Sequence, residues 1–172
     1  MREKTYWPQL CLVQLAGEDR AVAVDALSEN LDLTPLIDLM DDKSVTKVFH
    51  AARQDFEIFY NLAKRLPTPV FDTQIAAMVC GFGESVGYDT LVNKLTGHQV
   101  DKSLRFTDWS VRPLTEKQVA YALGDVTHLR LIYKDLNKQL DETERSEWLN
   151  EEMARLTDIN VYKTPPHEAW RR

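Results

Sequence analysis

Apolar residues along the chain change their spacing several times, and each change marks an element. Residues 9–15, QLCLVQL, and 20–24, RAVAV, are short apolar runs separated by AGED, which predicts a β-hairpin. Thr34-Pro35 places a capping residue before a proline at the first helical position, so LIDLMDD is expected to form a short helix. VTKVFH (45–50) is rich in β-branched residues and reads as a strand. AARQDFEIFYNLAKR (51–65) then carries apolar groups at 52, 56, 59, 60 and 63, which is helical spacing. VFD (70–72) reads as a short buried strand running into the helix TQIAAMVC. GFGESVG lacks the strand–GxxxxGK[ST]–helix context of a phosphate loop and reads as a connection. YDTLVNKLTG predicts a helix closed by Gly97. The periodicity is lost over 98–114, HQVDKSLRFTDWSVRPL. It resumes at the capping box Thr115-Glu-Lys-Gln118, with Leu114 placed to staple onto Val119. One helix is expected from there to about 139, and another over DETERSEWLNEEMARLTD. Strands alternating with helices after a hairpin predict a three-layer α/β domain with a mixed sheet.

Bulk properties narrow the function. The length of 172 residues suits one domain with a substantial core. No apolar run approaches a membrane span, and MREKTYWPQL contains no secretory h-region, so no membrane association and a cytoplasmic location are expected. Cys11 and Cys80 sit singly in apolar stretches and read as buried free thiols rather than as a disulfide or zinc site. The formal net charge of −6 argues against a protein that coats nucleic acid by bulk electrostatics. It leaves room for an enzyme acting on nucleic acid, if the positive charge is local or carried by bound metal ions.

Candidate chemistry lies at the boundaries of the elements. Asp55 stands one turn into its helix, Asp72 ends a strand, and Asp125 sits among Val119, Ala122, Val126 and Leu129. A carboxylate on a mostly apolar face is costly unless it is paired, hydrogen-bonded or bound to metal. Asp72 also reads as the cap of the helix that begins at Thr73, and His50 as a satisfied buried histidine. Tyr121 and Asp125, at i and i+4, share one face of a helix about 5–6 Å apart. A carboxylate there is suited to a divalent ion, and a phenol beside it to orienting the water that such an ion activates. In the aperiodic loop, Lys102, Arg105, Trp109 and Arg112 offer a basic and aromatic surface for a phosphate backbone; a solvated loop with Trp109 tucked into the core is the equal alternative.

In order, YWPQLCLVQL, VTKVFHAARQDFEIF, PVFDTQIAA, VDKSLRFTDWSVRPLT and QVAYALGDV resemble the ribonuclease D family, which is the tyrosine-bearing (DEDDy) branch of the 3′–5′ exonucleases. The resemblance implies a ribonuclease H-like exonuclease domain over 1–160. It makes 161–172, ending PPHEAWRR, the start of a linker to a helical HRDC-type domain absent from the chain. It implies hydrolysis of the 3′-terminal phosphodiester of RNA, such as tRNA precursors, by two divalent ions, Mg²⁺ or Mn²⁺. Asp55 and Asp125 then match the aspartates of the second and third motifs as metal ligands, and Tyr121 matches the tyrosine that orients the nucleophilic water. The first motif of the family, D-x-E, precedes the segment with which the chain opens, and Glu3 has no partner aspartate two residues before it. Three expectations follow: a first strand missing from within the sheet, two unsatisfied sheet edges facing each other, and weak or no activity in the chain as it stands. The missing motif also suggests a start assigned at an internal methionine, or a fragment. A non-catalytic module that binds RNA or a partner through the basic loop is the alternative.

Overall fold

The computed structural model describes residues 7–163. The hairpin forms as expected: β1 (Leu12–Ala16) pairs antiparallel with β2 (Ala21–Asp25), closed by a hydrogen bond from Gly17 N to Arg20 O at 2.8 Å. After α1 (Thr34–Asp41), β3 (Lys47–Phe49) pairs parallel with β4 (Val70–Asp72) across the intervening α2 (Arg53–Ala63). The register sets Val48 opposite Phe71 and Phe49 opposite Asp72. Phe49 and Phe71 therefore point to opposite faces of this ribbon. Phe49 meets Phe56 and Phe59 of α2 edge to face. Phe71 meets Tyr133 of α6 (Leu129–Glu142) in the same way, with centroids 4.8 Å apart. Helices thus cover both faces, and the three-layer α/β arrangement follows.

The main core lies on the Phe71 side. Ala76 and Ala77 of α3 (Thr73–Val79), Leu91 and Val92 of α4 (Tyr88–Thr96), Ile132 and Leu136 of α6, and Leu149 and Met153 of α7 (Ser146–Leu156) close around it. Gly97 ends α4 with φ 71°, as its sequence position predicts. A smaller cluster on the other face joins Ala52, Phe56 and Tyr162. Tyr162 belongs to a 3-10 helix, Ile159–Tyr162, and is only 1% exposed. Tyr162 thereby packs the 3-10 helix onto α2. Glu3 and the tail from 164 lie outside the described residues.

Two expectations need revision. The helix predicted from the capping box to about 139 is two helices, α5 (Glu116–Thr127) and α6, meeting at His128. The mixed sheet is divided: among the described residues the antiparallel and parallel strand pairs form two separate ribbons. Between β1 and β3 runs a groove of about 750 Å³, lined by Leu12–Ala16 on one side and Lys47–Phe49 on the other, with α5 and α6 along it. Among the described residues β1 and β3 line opposite sides of this groove without pairing to each other.

Candidate active site

The turn from β3 into α2 is built around Asp72. Its carboxylate caps α3 by accepting from Gln74 N (2.8 Å) and Ile75 N (3.4 Å), and it also accepts from Ala51 N (3.1 Å) and Ala52 N (2.7 Å). At 2% exposure it is a structural tie between two chain segments, which bears out its reading as a cap. The tie holds Ala51 in the left-handed region, φ 57°, where a residue with a Cβ is strained. That sharp turn starts α2 where it does and carries Asp55 into the groove.

His50 precedes the turn. The Thr73 hydroxyl donates to Phe49 O at 2.9 Å, so the ring Nδ1 of His50, 2.9 Å from the same hydroxyl oxygen, is the donor in that contact. Its Nε2 is then a bare lone pair, and it has no hydrogen-bond partner. Burial lowers the pKa of this ring, opposed by the Asp72 charge and the backbone at Val86. The residue stands in the groove wall with Nε2 buried behind it. A lone histidine ending a strand reads as satisfied, so the buried nitrogen had no signature in the sequence.

Asp55 and Asp125 line the same groove. Solvent reaches Asp55 through the groove mouth, yet protein walls it on several sides. Burial in that concavity, with the Asp72 charge second, pushes its carboxyl up to about 6. Burial alone pushes Asp125 up to about 6 as well. Tyr88, whose hydroxyl donates to Gly124 O at 3.0 Å, stands next to Asp125 and is held firmly protonated by burial and by that charge. Tyr121, one turn before Asp125 on α5, does not line this groove. It borders a smaller hollow of about 350 Å³, with Lys117, His128 and Asp101. The two spaces meet along α5, and the Tyr121 phenol feels the Asp125 charge: burial first and that charge second raise its pKa.

The loop over 98–114 treats its four candidate residues differently. Trp109 lies against Tyr121, with centroids 5.8 Å apart and planes at 36°. Lys102 pairs with Asp89 of α4. Arg105 lies 5.5 Å over the ring of Phe106, and its charge reaches Tyr121. Arg112 forks onto Asp25, with Nε to Oδ2 at 2.7 Å and Nη2 to Oδ1 at 2.6 Å. Phe106 escaped the sequence reading, although it is 93% exposed. An aromatic set between basic residues in an aperiodic loop was the available signal.

Two carboxylates on one groove, ionised at neutral pH, are suitable donors for a hard cation. They are too few for a pair of such ions, each of which takes about six oxygens. Among the described residues no group of three or more His, Cys, Asp or Glu side chains is placed to hold a metal. No helix among them is long and apolar enough to cross a membrane.

Comparison with known proteins shows the family. A family described as 3′-5′ exonuclease matches residues 1–141. Ribonuclease D of Bartonella henselae is 54% identical over all 172 residues, which span 42% of that protein. Ribonuclease D of Gluconacetobacter diazotrophicus is 55% identical, again over the whole chain and 44% of the relative. The chain therefore spans less than half the length of these curated relatives. The crystal structure of Escherichia coli RNase D, an exoribonuclease involved in structured RNA processing, superposes with a TM-score of 0.86 at 39% identity, covering 99% of this chain and 45% of that one.

Proposed function

Because the chain belongs to the 3′–5′ exonuclease family and is similar to ribonuclease D from end to end, we propose that it carries the nucleolytic site of a cytoplasmic, ribonuclease D-type 3′–5′ exoribonuclease, acting on RNA 3′ ends such as those of tRNA precursors. The observation that carries this reading is the convergence of Asp55 and Asp125, from α2 and α5, on one groove, with Tyr121 one turn from Asp125.

The cofactor of this reading is divalent metal, Mg²⁺ or Mn²⁺, in a two-ion arrangement, with Asp55 and Asp125 as ligands from these residues and further oxygens required beside them. When bound, such ions polarise the phosphodiester and activate water. The roles of the side chains follow from their surroundings. Asp55, exposed at the groove mouth, and Asp125, half-buried in the groove, have carboxyls at about 6 and are mostly ionised at pH 7, which suits a cation. Tyr121, raised above its ordinary value, keeps its proton at neutral pH. It therefore orients a water by hydrogen bonding and does not act as a base. Arg105 and Phe106 offer a charge and a stacking face to single-stranded RNA; Lys102 offers a charge shared with Asp89.

With only Asp55 and Asp125 offered as ligands among the described residues, the 172-residue chain is expected to be slow, well below the enzyme median of about 10 s⁻¹. The test is Mn²⁺-dependent release of mononucleotides from a 3′-labelled single-stranded RNA, compared with Asp125→Asn. Stepwise release that disappears in the variant supports the exonuclease. Internal cuts, or release indifferent to metal, contradict it. The exposed Phe106 under Arg105 favours a second reading, a non-catalytic RNA-binding module. That reading predicts salt-sensitive binding without any metal-dependent cleavage.

A further inference from the structure

We propose that Arg112 is a positioning residue: paired with Asp25, it fixes Trp109 against Tyr121 and so sets where the Tyr121 phenol stands. The inference rests on the exonuclease reading for the role of Tyr121, and on the hydrogen bonds of Arg112 for the rest.

A guanidinium has five N–H donors and no acceptor. Arg112 makes five hydrogen bonds to acceptors. Nε and Nη2 reach the two oxygens of Asp25, Nη2 also donates to Cys11 O (2.8 Å), and Nη1 donates to Trp109 O (2.8 Å) and Val111 O (2.9 Å). No donor remains for a phosphate. Three separate parts of the chain meet on this one side chain: the end of β2, the residue before β1, and the loop. A lysine would keep the charge but lose the planar fork that makes this joint possible.

The joint matters because of what it holds. Trp109, whose carbonyl Arg112 grips, lays its ring on Tyr121. The other support of Tyr121 is its own helix, α5, which packs on the same hairpin that carries Asp25. Loop and helix are thereby referenced to one floor, and the phenol is confined between them. Groups that orient a reacting atom must be held within roughly 0.5 Å, so they need supports of this kind.

The variants are Arg112→Lys, Asp25→Asn and the double change in the 172-residue chain. Single-turnover release from 3′-labelled RNA, RNA affinity with its salt dependence, and amide exchange over residues 99–111 are measured for each. Each single variant is expected to lower the release rate about tenfold by misplacing Tyr121, with RNA affinity unchanged. The double variant is expected to be no slower than either single, because both remove one joint. Amides over 99–111 should exchange faster in all three. Trp109→Phe, which keeps a ring against Tyr121, should retain more rate than Trp109→Ala. Should Arg112→Lys not fold, Asp25→Asn reports on the same bond. A loss of RNA affinity in Arg112→Lys, with a salt slope reduced by about one and no effect of Asp25→Asn, makes Arg112 a phosphate contact and overturns the proposal. Losses that multiply in the double variant overturn it as well. If the wild type cuts internally, or releases nucleotide without need of metal, the exonuclease reading fails and takes the positioning role with it. Unchanged exchange in Asp25→Asn with an active wild type removes the joint alone.

Discussion

At the scale of single residues, the candidate site depends on a strained turn held by one carboxylate. Ala51 at φ 57° sits where glycine is preferred, and Asp72 keeps it there by accepting from the amides of Ala51 and Ala52. Removing that carboxylate leaves four buried or partly buried amides short of a partner. Asp72→Ala is therefore expected to cost about 2–4 kcal/mol in urea unfolding. Ala51→Gly relieves the backbone instead and should stabilise by up to about 1 kcal/mol. Equal effects of the two changes would mean that the turn is not held as described. Of this arrangement only the cap was legible in advance: an aspartate ending a strand before a helix has a local signature. The grip on Ala51 spans 21 residues of sequence, and nothing about an alanine announces a left-handed conformation. His50 Nε2 was hidden for the same reason, since its unpartnered state depends on Thr73, which comes from another segment.

At the scale of elements, local chemistry was readable wherever a cap or a clean apolar stripe existed. The capping box at Thr115 forms in full, with Thr115 Oγ1 accepting from Gln118 N and Gln118 Oε1 accepting from Thr115 N. Thr115→Ala is expected to lower stability by about 1 kcal/mol while leaving RNA affinity unchanged, as read by thermal unfolding and a binding titration. A drop in affinity alone would place Thr115 in the interface rather than in the cap. The break at His128 was not readable, because no glycine or proline marks it and His128 keeps right-handed helical angles. The buried stripe gives no sign of it either: Gln118 and Ala122 of α5 and Leu129, Ile132, Leu136 and Leu140 of α6 follow one another at helical spacing, as if along a single helix. Asp125 thus lies in the last turn of a short helix and not in the middle of a long one. In the loop, the sequence showed which residues carry charge but not where the charge goes. Arg112 carried a charge with no visible destination, because its partner Asp25 lies 87 positions away.

At the scale of the molecule, the division of the strands into two ribbons creates the groove, and the groove creates the chemistry of its acids. Asp55 and Asp125 rise to about 6 because protein walls replace water around them. Between the ordinary value of 3.8 and about 6, the folded chain keeps protons that the unfolded chain has released. These two groups therefore withdraw stability as the pH rises through that window, and the loss is complete above it. Asp25, Asp42 and Asp89 have lowered values and act with the opposite sign, so the informative quantity is the difference between a variant and the wild type. Asp55→Asn and Asp125→Asn should gain on the wild type in melting temperature as the pH climbs from 4 to 7, with most of the gain below about 6. A divalent cation binds the ionised form, so Mn²⁺ should raise the wild-type melting temperature at pH 7, do little at pH 4, and do little to Asp125→Asn at either. A melting temperature of Asp125→Asn that still responds to Mn²⁺ as the wild type does would place the ion elsewhere in a chain of net charge −6, and the groove would lose its claim to be the metal site.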